Sequence, residues 1–168
     1  CLLQGDVGSG KTIVSILASS IAVESNFQVA IMAPTEILAR QHLKSFKKEF
    51  DPLQITCALL TGGMARKERD KIIDSLNNGK IDLVVGTHAL IQKDVKFKNL
   101  GLVIIDEQHR FGVNQRRKLV EKGKNPHFLA MTATPIPRTL AITLYGDMDL
   151  CIIDEVPQNR RPVITKVI

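Results

Sequence analysis

Aromatic residues are scarce in this sequence: its 168 residues include no tryptophan, one tyrosine and six phenylalanines. A protein with so few aromatic rings has little surface on which nucleic-acid bases could stack. The three cysteines, Cys1, Cys57 and Cys151, form no CxxC pair and leave an odd one over, which favours free thiols in a reducing compartment. No apolar run approaches the roughly 18 residues of a membrane-spanning helix, and no basic segment followed by an apolar stretch opens the chain. We therefore expect one soluble, cytoplasmic domain.

Net charge is positive but modest. Lysine and arginine total 23 against 17 aspartates and glutamates, a formal charge of +6, and 44% of the residues are hydrophobic. This mixture excludes a disordered tail, a collagen and a low-complexity linker. The densest cationic stretch is residues 110–124, with six cations and one anion. Two interpretations of it stay open: a solvated helix face, or contact with nucleic acid, in which backbone phosphates would dominate over bases.

Short runs rich in Val, Ile and Leu alternate with longer amphipathic stretches. Runs this short and this apolar are typical of strands covered on both faces. The predicted strands are residues 2–4, 29–33, 55–60, 81–86, 102–105, 128–132, 150–153 and 161–165, and the predicted helices are residues 11–24, 36–50, 65–77, 114–122 and 138–144. Repeated strand–helix–strand units predict an α/β fold with a mostly parallel central sheet flanked by helices on both faces.

A glycine-rich segment follows the first predicted strand. Residues 5–12 (GDVGSGKT) match the phosphate-loop pattern G-x-x-x-x-G-K-[ST]. Glycines permit the left-handed backbone angles that turn successive N–H groups toward a phosphate, and the helix that begins at Lys11 directs its positive end at the anion. Lys11 would reach the outer phosphates and the Thr12 hydroxyl would ligate Mg²⁺. The predicted nucleotide-binding residues are Gly5, Gly8, Ser9, Gly10, Lys11 and Thr12.

Two adjacent acids, Asp106 and Glu107, end the apolar strand predicted at residues 102–105. In an open parallel sheet, ligands collect at the carboxyl ends of the strands. Asp106 is therefore predicted to lie near Thr12 and to hold the hydrated Mg²⁺. Glu107 is predicted to orient and deprotonate an attacking water.

Four segments resemble the motifs of superfamily-2 helicases of the DExH class. Residues 106–109 (DEQH) resemble motif II, and residues 132–134 (TAT) resemble motif III. Residues 33–36 (APTE) resemble motif Ia, and residues 86–90 (GTHAL) resemble motif Ib. Their order and separation also match that class.

A narrower resemblance is to the RecG family of bacterial branch-migrating DNA helicases. It rests on residues 5–12, 106–113 and 131–139. Transcription-repair coupling factors have similar motifs, but Gln108 and the segment 146–155 favour the RecG family. This resemblance implies a RecA-like domain, the first of two motor domains, in the bacterial cytoplasm. Its expected cofactors are ATP and Mg²⁺, and its expected partner is branched DNA.

The resemblance also implies roles for individual residues. Lys11, Asp106, Glu107 and His109 would form the catalytic set. His109 would couple hydrolysis to Thr132 and Thr134, although these two threonines could instead cap a turn. The residues that would line the DNA backbone track are Thr35, Arg40, Gly62, Gly63, Thr87 and His88. For His88, a partly buried hydrogen-bonded position is an equal alternative.

Both ends of the sequence look cut from a longer protein. We expect the motor domain at residues 1–160, and the start of a connector toward a second motor domain at residues 161–168. In this family that second domain supplies arginines to the ATPase site, and an N-terminal wedge domain recognises the branch. The fragment alone should therefore bind nucleotide weakly and hydrolyse it slowly or not at all. A monomer is expected, because the sequence has no coiled-coil seam and no long apolar stripe that would favour self-association.

Alternative functions remain at this stage. One is the motor of a coupling-factor-like translocase. Another is a degenerate nucleotide- or DNA-binding remnant. A nucleotide kinase or a switch GTPase would also carry a phosphate loop, but the sequence has neither an arginine-rich lid nor an N-K-x-D motif.

Overall fold

One parallel sheet organises the structure, a computed structural model that describes residues 1–134 and 148–154. The strands of this described part are β1 (Leu2–Gly5), β2 (Gln28–Met32), β3 (Cys57–Leu60), β4 (Leu83–Gly86), β5 (Leu100–Ile105), β6 (His127–Thr132) and β7 (Leu150–Ile153). Their spatial order is β3-β4-β2-β5-β6-β1-β7, and every pairing is parallel. The predicted α/β class with a parallel sheet is confirmed.

The α-helices within residues 1–134 and 148–154 are α1 (Lys11–Glu24), α2 (Glu36–Phe50), α3 (Arg66–Asn77) and α4 (Val113–Val120). Short 3₁₀ turns occupy Asp51–Leu53, His88–Ile91 and Gln108–Arg110. The first two helices have the predicted bounds, and α3 begins one residue later than predicted. The predicted helix at 138–144, the strand at 161–165 and the domain boundary after residue 160 lie outside the described residues.

The sheet is buried on both faces because successive side chains of a strand point to opposite sides. Val29 and Ile31 of β2 pack in one apolar cluster with residues of α1 and α2. Ala30 and Met32 of the same strand pack in a second cluster with residues of α3 and α4. Helices therefore cover both faces, as the sequence predicts. Among the described helices, none is long and apolar enough to cross a membrane.

Helix α2 connects the apolar core with the carboxyl edge of the sheet. Thr35 caps its start, and the Thr35 Oγ1 accepts a hydrogen bond from the Leu38 N–H (3.3 Å). Its buried residues are Ala39, His42, Phe46 and Phe50, which recur at helical spacing. A histidine thus occupies a position in the core-facing stripe.

Candidate nucleotide and nucleic-acid site

Every predicted site segment follows the carboxyl end of a strand. The strands of the described part all run in parallel, so these ends share one edge of the sheet. The phosphate loop follows β1 and Asp106 follows β5, with β6 between the two strands. At about 4.8 Å between neighbouring strands, β1 and β5 lie roughly 10 Å apart. The fold thus brings the glycine loop (residues 5–12) and the acids (residues 106 and 107), which are far apart in sequence, to one edge of the sheet.

The phosphate loop has the backbone that its glycines predict. Gly8 and Gly10 adopt φ angles of 82° and 98°, in the left-handed region that glycine favours. Gly5 allows a close approach, since a Cβ there would lie 2.4 Å from the Ser9 Oγ. Gly10 directly precedes α1, so the loop leads straight into the positive end of that helix.

The Lys11 side chain folds over this loop. Its ammonium donates to the backbone carbonyls of Gly5 (2.7 Å) and Asp6 (2.8 Å). Ser9 Oγ is buried nearby and has no hydrogen-bond partner within the described residues. A cation and an unpaired buried hydroxyl at a helix start form an environment suited to a phosphate.

Each oxygen of the Asp106 carboxylate has a hydrogen-bond partner. Its Oδ1 accepts the Glu107 N–H (3.0 Å), and its own N–H donates to the Met32 carbonyl (3.0 Å). The second oxygen, Oδ2, lies 2.7 Å from the Nε2 atom of His42. Sequence reasoning missed His42, although its place in the buried 39-42-46-50 stripe of α2 could have indicated an inward-pointing polar residue.

Glu107 has a backbone conformation that is unusual for a residue with a side chain. Its φ is 48°, in the left-handed region, and such residues concentrate at functional sites. Its Oε2 lies 3.4 Å from His109 Nδ1 but accepts no hydrogen bond from a described residue. The predicted general base therefore has one buried oxygen without a hydrogen-bond donor among the described residues, and the imidazole of His109 lies beside it.

A cavity of about 650 Å³ joins three of the helicase-like segments. Its lining includes Thr35 from the motif Ia segment, Glu107 and His109 from the acid segment, and Thr134 from the motif III segment. The phosphate-loop residues do not line it. Glu107, His109 and Thr134 thus share a cavity, whereas Asp106 and Thr132 do not line it. The glycine loop follows β1 at the same edge of the sheet.

Thr132 performs a local structural task. It is fully buried, and its Oγ1 accepts the Thr134 N–H (3.1 Å), which closes a turn at the end of β6. The structure therefore supports the turn-capping alternative for Thr132. Thr134 is exposed and reaches the cavity, so the coupling role stays a prediction for both residues.

The residues predicted to line a DNA track separate into exposed and buried members. A Cβ at Gly62 would lie 3.7 Å from His88 Nε2, and the Gly63 N–H donates to Glu36 Oε1 (3.1 Å). Arg40 and Gly63 line one groove of about 510 Å³. His88 is exposed, which leaves it accessible for the predicted contact.

Thr87 differs from the other members of this set. It is 3% exposed, and its Oγ1 has no hydrogen-bond partner in the part of the chain that the structure describes. Its side chain therefore faces the interior under the exposed His88. A DNA contact at this position would use the neighbouring surface and not the Thr87 hydroxyl.

The basic stretch at residues 110–124 contains both cations that bond to the rest of the fold and cations that are exposed. Arg116 donates to the Oε1 of the buried Gln108 (3.2 Å), so it supports the acid segment from α4. Lys122 donates to the carbonyls of Gln92 and Val95 (both 2.7 Å), and burial lowers its pKa. The exposed cations of this stretch are Arg110, Arg117, Lys118 and Lys124. The stretch is neither uniformly a solvated face nor uniformly available to nucleic acid.

Comparison with known proteins agrees with this geometry. The family model described as DEAD/DEAH box helicase matches residues 1–143. The chain is 58% identical over 168 residues to the ATP-dependent DNA helicase RecG of Aquifex aeolicus, covering 99% of this chain and 21% of that protein. It is 57% identical over 165 residues to RecG of Streptococcus pneumoniae, covering 98% of this chain and 24% of that protein.

Solved structures show the same likeness. A structure of RecG bound to a three-way DNA junction aligns with a TM-score of 0.82 at 53% identity, covering 96% of this chain and 22% of that one. The helicase domain of Pyrococcus furiosus Hef aligns with a TM-score of 0.70 at 24% identity, which shows a shared fold. It covers 90% of this chain and 34% of that one.

The chain spans about a fifth to a quarter of the length of the curated relatives it matches. The family model covers most residues of this chain, including the phosphate loop, both acids and the motif III segment. Sequence motifs, sheet order and family match all agree. This chain belongs to the DEAD/DEAH box helicase family.

Proposed function

We propose that this chain is the first RecA-like motor domain of a RecG-type, ATP-driven DNA helicase that remodels forks and junctions in the bacterial cytoplasm. The proteins that it resembles are named ATP-dependent DNA helicases, and one solved relative is bound to a three-way DNA junction. The observation that carries the proposal is the shared sheet edge that joins the phosphate loop to Asp106 and Glu107. A role in DNA repair and recombination follows from that substrate.

The residues at this edge suit a magnesium–nucleotide complex. The Thr12 hydroxyl and the Asp106 carboxylate are the oxygen ligands that Mg²⁺ prefers, and Lys11 supplies a cation beside the buried, unpartnered Ser9 Oγ. Across residues 1–134 and 148–154, no three His, Cys, Asp or Glu side chains group as a metal site. Mg²⁺ typically binds through one or two carboxylates together with substrate phosphates, which suits this arrangement. When bound, the ion would neutralise charge on the phosphates during transfer.

Hydrolysis then depends on residues in the cavity. Glu107 lines this cavity, and its carboxylate, whose Oε2 has no hydrogen-bond donor among the described residues, would take a proton from an attacking water. His109, 3.4 Å from that oxygen, can fix its direction and adjoins the Thr134 side of the cavity. Full activity would need the second motor domain, whose arginines stabilise charge on the transferring phosphoryl group.

DNA would lie along the exposed residues at the other end of the same edge. Thr35, Arg40, Gly62 and His88 offer a hydroxyl, a cation, a backbone N–H group and an imidazole, which suit phosphate contacts that ignore sequence. Gly63 lies next to them, but its N–H donates to Glu36 Oε1. A motor that moves along any sequence needs contacts of this kind. The scarcity of aromatic residues supports backbone contact over base stacking.

The experiment is a pair of measurements on Glu107→Gln in a full-length protein that carries this chain. Because the variant keeps the size of the side chain but cannot accept a proton, ATP hydrolysis stimulated by branched DNA should fall by at least about 100-fold. The affinity for Mg²⁺-ATP should stay within about twofold of wild type. Glu121→Gln, at an exposed acid directly after α4, is the matched control and should retain full turnover.

Two results would contradict the proposal. Wild-type turnover in Glu107→Gln would remove the general base from this site. Wild-type protein that binds ATP but shows no stimulation by DNA would favour a nucleotide-binding remnant over a motor.

A further inference from the structure

His42 is the polar residue of the core that the proposed mechanism has not used. It is 8% exposed and lies on α2, between the buried Ala39 and Phe46. Its Nε2 atom is 2.7 Å from the Oδ2 atom of Asp106, a short contact between two buried groups that are 64 residues apart in sequence. Such a pair requires that helix and strand be folded together.

Asp106 has two oxygens, and each is held by a different element. Oδ1 accepts the N–H of Glu107, within the acid segment itself. Oδ2 is held from outside that segment, by the imidazole of His42. Because a carboxylate oxygen accepts, the His42 Nε2 carries the proton of this hydrogen bond. Together the two bonds fix the rotation of the carboxylate about its Cβ–Cγ bond, which one bond alone would leave freer.

Contacts at both ends of α2 hold the helix, and with it the backbone of His42, in place. Phe46 and Phe50, both fully buried, anchor the helix below His42, and their rings meet edge to face with centroids 5.5 Å apart. Above His42, Thr35 caps the helix and Glu36 accepts the Gly63 N–H. A side chain on a helix held at both ends can orient its partner with little loss of entropy.

We propose that His42 is a positioning residue that fixes the Asp106 carboxylate in the orientation needed by the metal–nucleotide complex. The inference rests on the proposed function, because it takes Asp106 as the acid that holds the metal. The nucleotide site would then include a residue of α2 that lies outside both the phosphate-loop motif and the acid motif. The competing role for His42 is purely structural, a buried side chain that satisfies a buried acid.

Two amide substitutions at position 42 distinguish the positioning role from the purely structural one. In His42→Gln the side-chain amide nitrogen reaches about as far as the imidazole Nε2, so it can still donate to Asp106 Oδ2. In His42→Asn the amide has the same chemistry but is one methylene shorter and cannot reach. Binding of Mn²⁺-ADP, with Mn²⁺ in place of Mg²⁺, is followed by electron paramagnetic resonance in a full-length protein carrying this chain, and binding of ADP in EDTA is measured in parallel.

We expect His42→Asn to weaken Mn²⁺-ADP binding about tenfold and to leave metal-free ADP binding within twofold of wild type. His42→Gln should restore Mn²⁺-ADP binding to within about threefold. The control is Gln28→Leu, which removes another buried polar side chain, one that donates to the Leu76 and Ile81 carbonyls. It should lower the melting temperature without changing Mn²⁺-ADP affinity.

Equal Mn²⁺-ADP affinity in His42→Asn, His42→Gln and wild type would overturn the inference and leave His42 a structural role. Asp106→Asn tells this failure apart from failure of the proposed function. If Asp106→Asn weakens Mn²⁺-ADP binding while both His42 variants do not, only the positioning role is wrong. If Asp106→Asn binds Mn²⁺-ADP like wild type, the metal assignment itself is wrong, and the inference falls with it.

Discussion

The phosphate loop and the acid segment lie on the same sheet edge but are built in different ways. In the loop, left-handed glycines and backbone carbonyls shape the site, and the Lys11 ammonium donates to the carbonyls of residues 5 and 6. The acid segment depends on side chains from elsewhere: His42 on α2 contacts Asp106, and Arg116 on α4 contacts Gln108. One half of the site is local in sequence, and the other is assembled by the fold.

This difference predicts how each half responds to substitution. A locally built loop should lose ligand affinity when its own residues change, with little effect on the rest of the domain. A segment held from a distance should respond to changes in α2 and α4, far away in sequence. The following substitutions test that contrast.

The largest effect is expected for Lys11→Ala in the phosphate loop. The variant removes a cation whose charge-assisted hydrogen bonds to phosphate contribute about 1.5–3 kcal/mol, so nucleotide affinity should fall about 10- to 100-fold. Isothermal titration with Mg²⁺-ADP measures the loss. Lys96→Ala, at an exposed lysine, is the matched control and should bind like wild type. Unchanged affinity in Lys11→Ala would remove the loop from nucleotide binding.

An intermediate effect is expected where α4 supports the acid segment. Arg116→Ala removes a donor to the buried Gln108, so the free energy of unfolding should fall by about 1–2 kcal/mol. The neighbouring Arg117 is exposed and pairs with Glu121 on the surface (3.3 Å). Arg117→Ala should therefore change the free energy of unfolding by less than about 0.5 kcal/mol. Urea unfolding compares the two. Equal losses would mean that α4 does not support the acid segment.

The smallest effect concerns Cys57 on β3, which belongs to neither half. Burial, with Asp51 nearby, raises the pKa of its thiol from 9.0 to about 11. At pH 8 its thiolate fraction is then about 100-fold lower than that of an ordinary thiol, so iodoacetamide should label it more slowly than the exposed Cys1 and Cys151. Mass spectrometry of the three peptides over time checks the order.

The raised pKa of the Cys57 thiol also makes the stability of the fold depend on pH. The folded state keeps the Cys57 proton at a pH where the unfolded chain has lost it, so this contribution to stability is present below pH 9 and is lost as the pH rises toward 11. Cys57→Ala should flatten that part of the stability profile. A wild-type labelling order with Cys57 fastest would contradict the burial.

The parallel sheet and the phosphate loop could be predicted because their signals are local. Apolar runs of strand length identify strands, and a glycine pattern of eight residues identifies the loop without reference to any other element. The position of Asp106 could be predicted as well, since parallel strands deliver their carboxyl ends to one edge.

The supporting contacts could not be predicted, because they join residues that are distant in sequence. Nothing adjacent to His42 indicates that it meets a carboxylate 64 positions later. Arg116 and Lys122 look like members of a surface charge cluster, and only their contacts in the fold show that Arg116 bonds to Gln108 and Lys122 to backbone carbonyls. Thr87 likewise appears available to DNA in its motif but is buried.

The convergence of the two halves on one metal–nucleotide complex is the central claim, and a crystal structure of the protein with Mg²⁺ and a non-hydrolysable ATP analogue tests it most directly. We predict that residues 5–12 enclose the phosphates and that the coordination shell of the metal reaches both the Thr12 hydroxyl and the Asp106 carboxylate. A nucleotide bound away from that loop, or a metal whose shell excludes Asp106, would contradict the account.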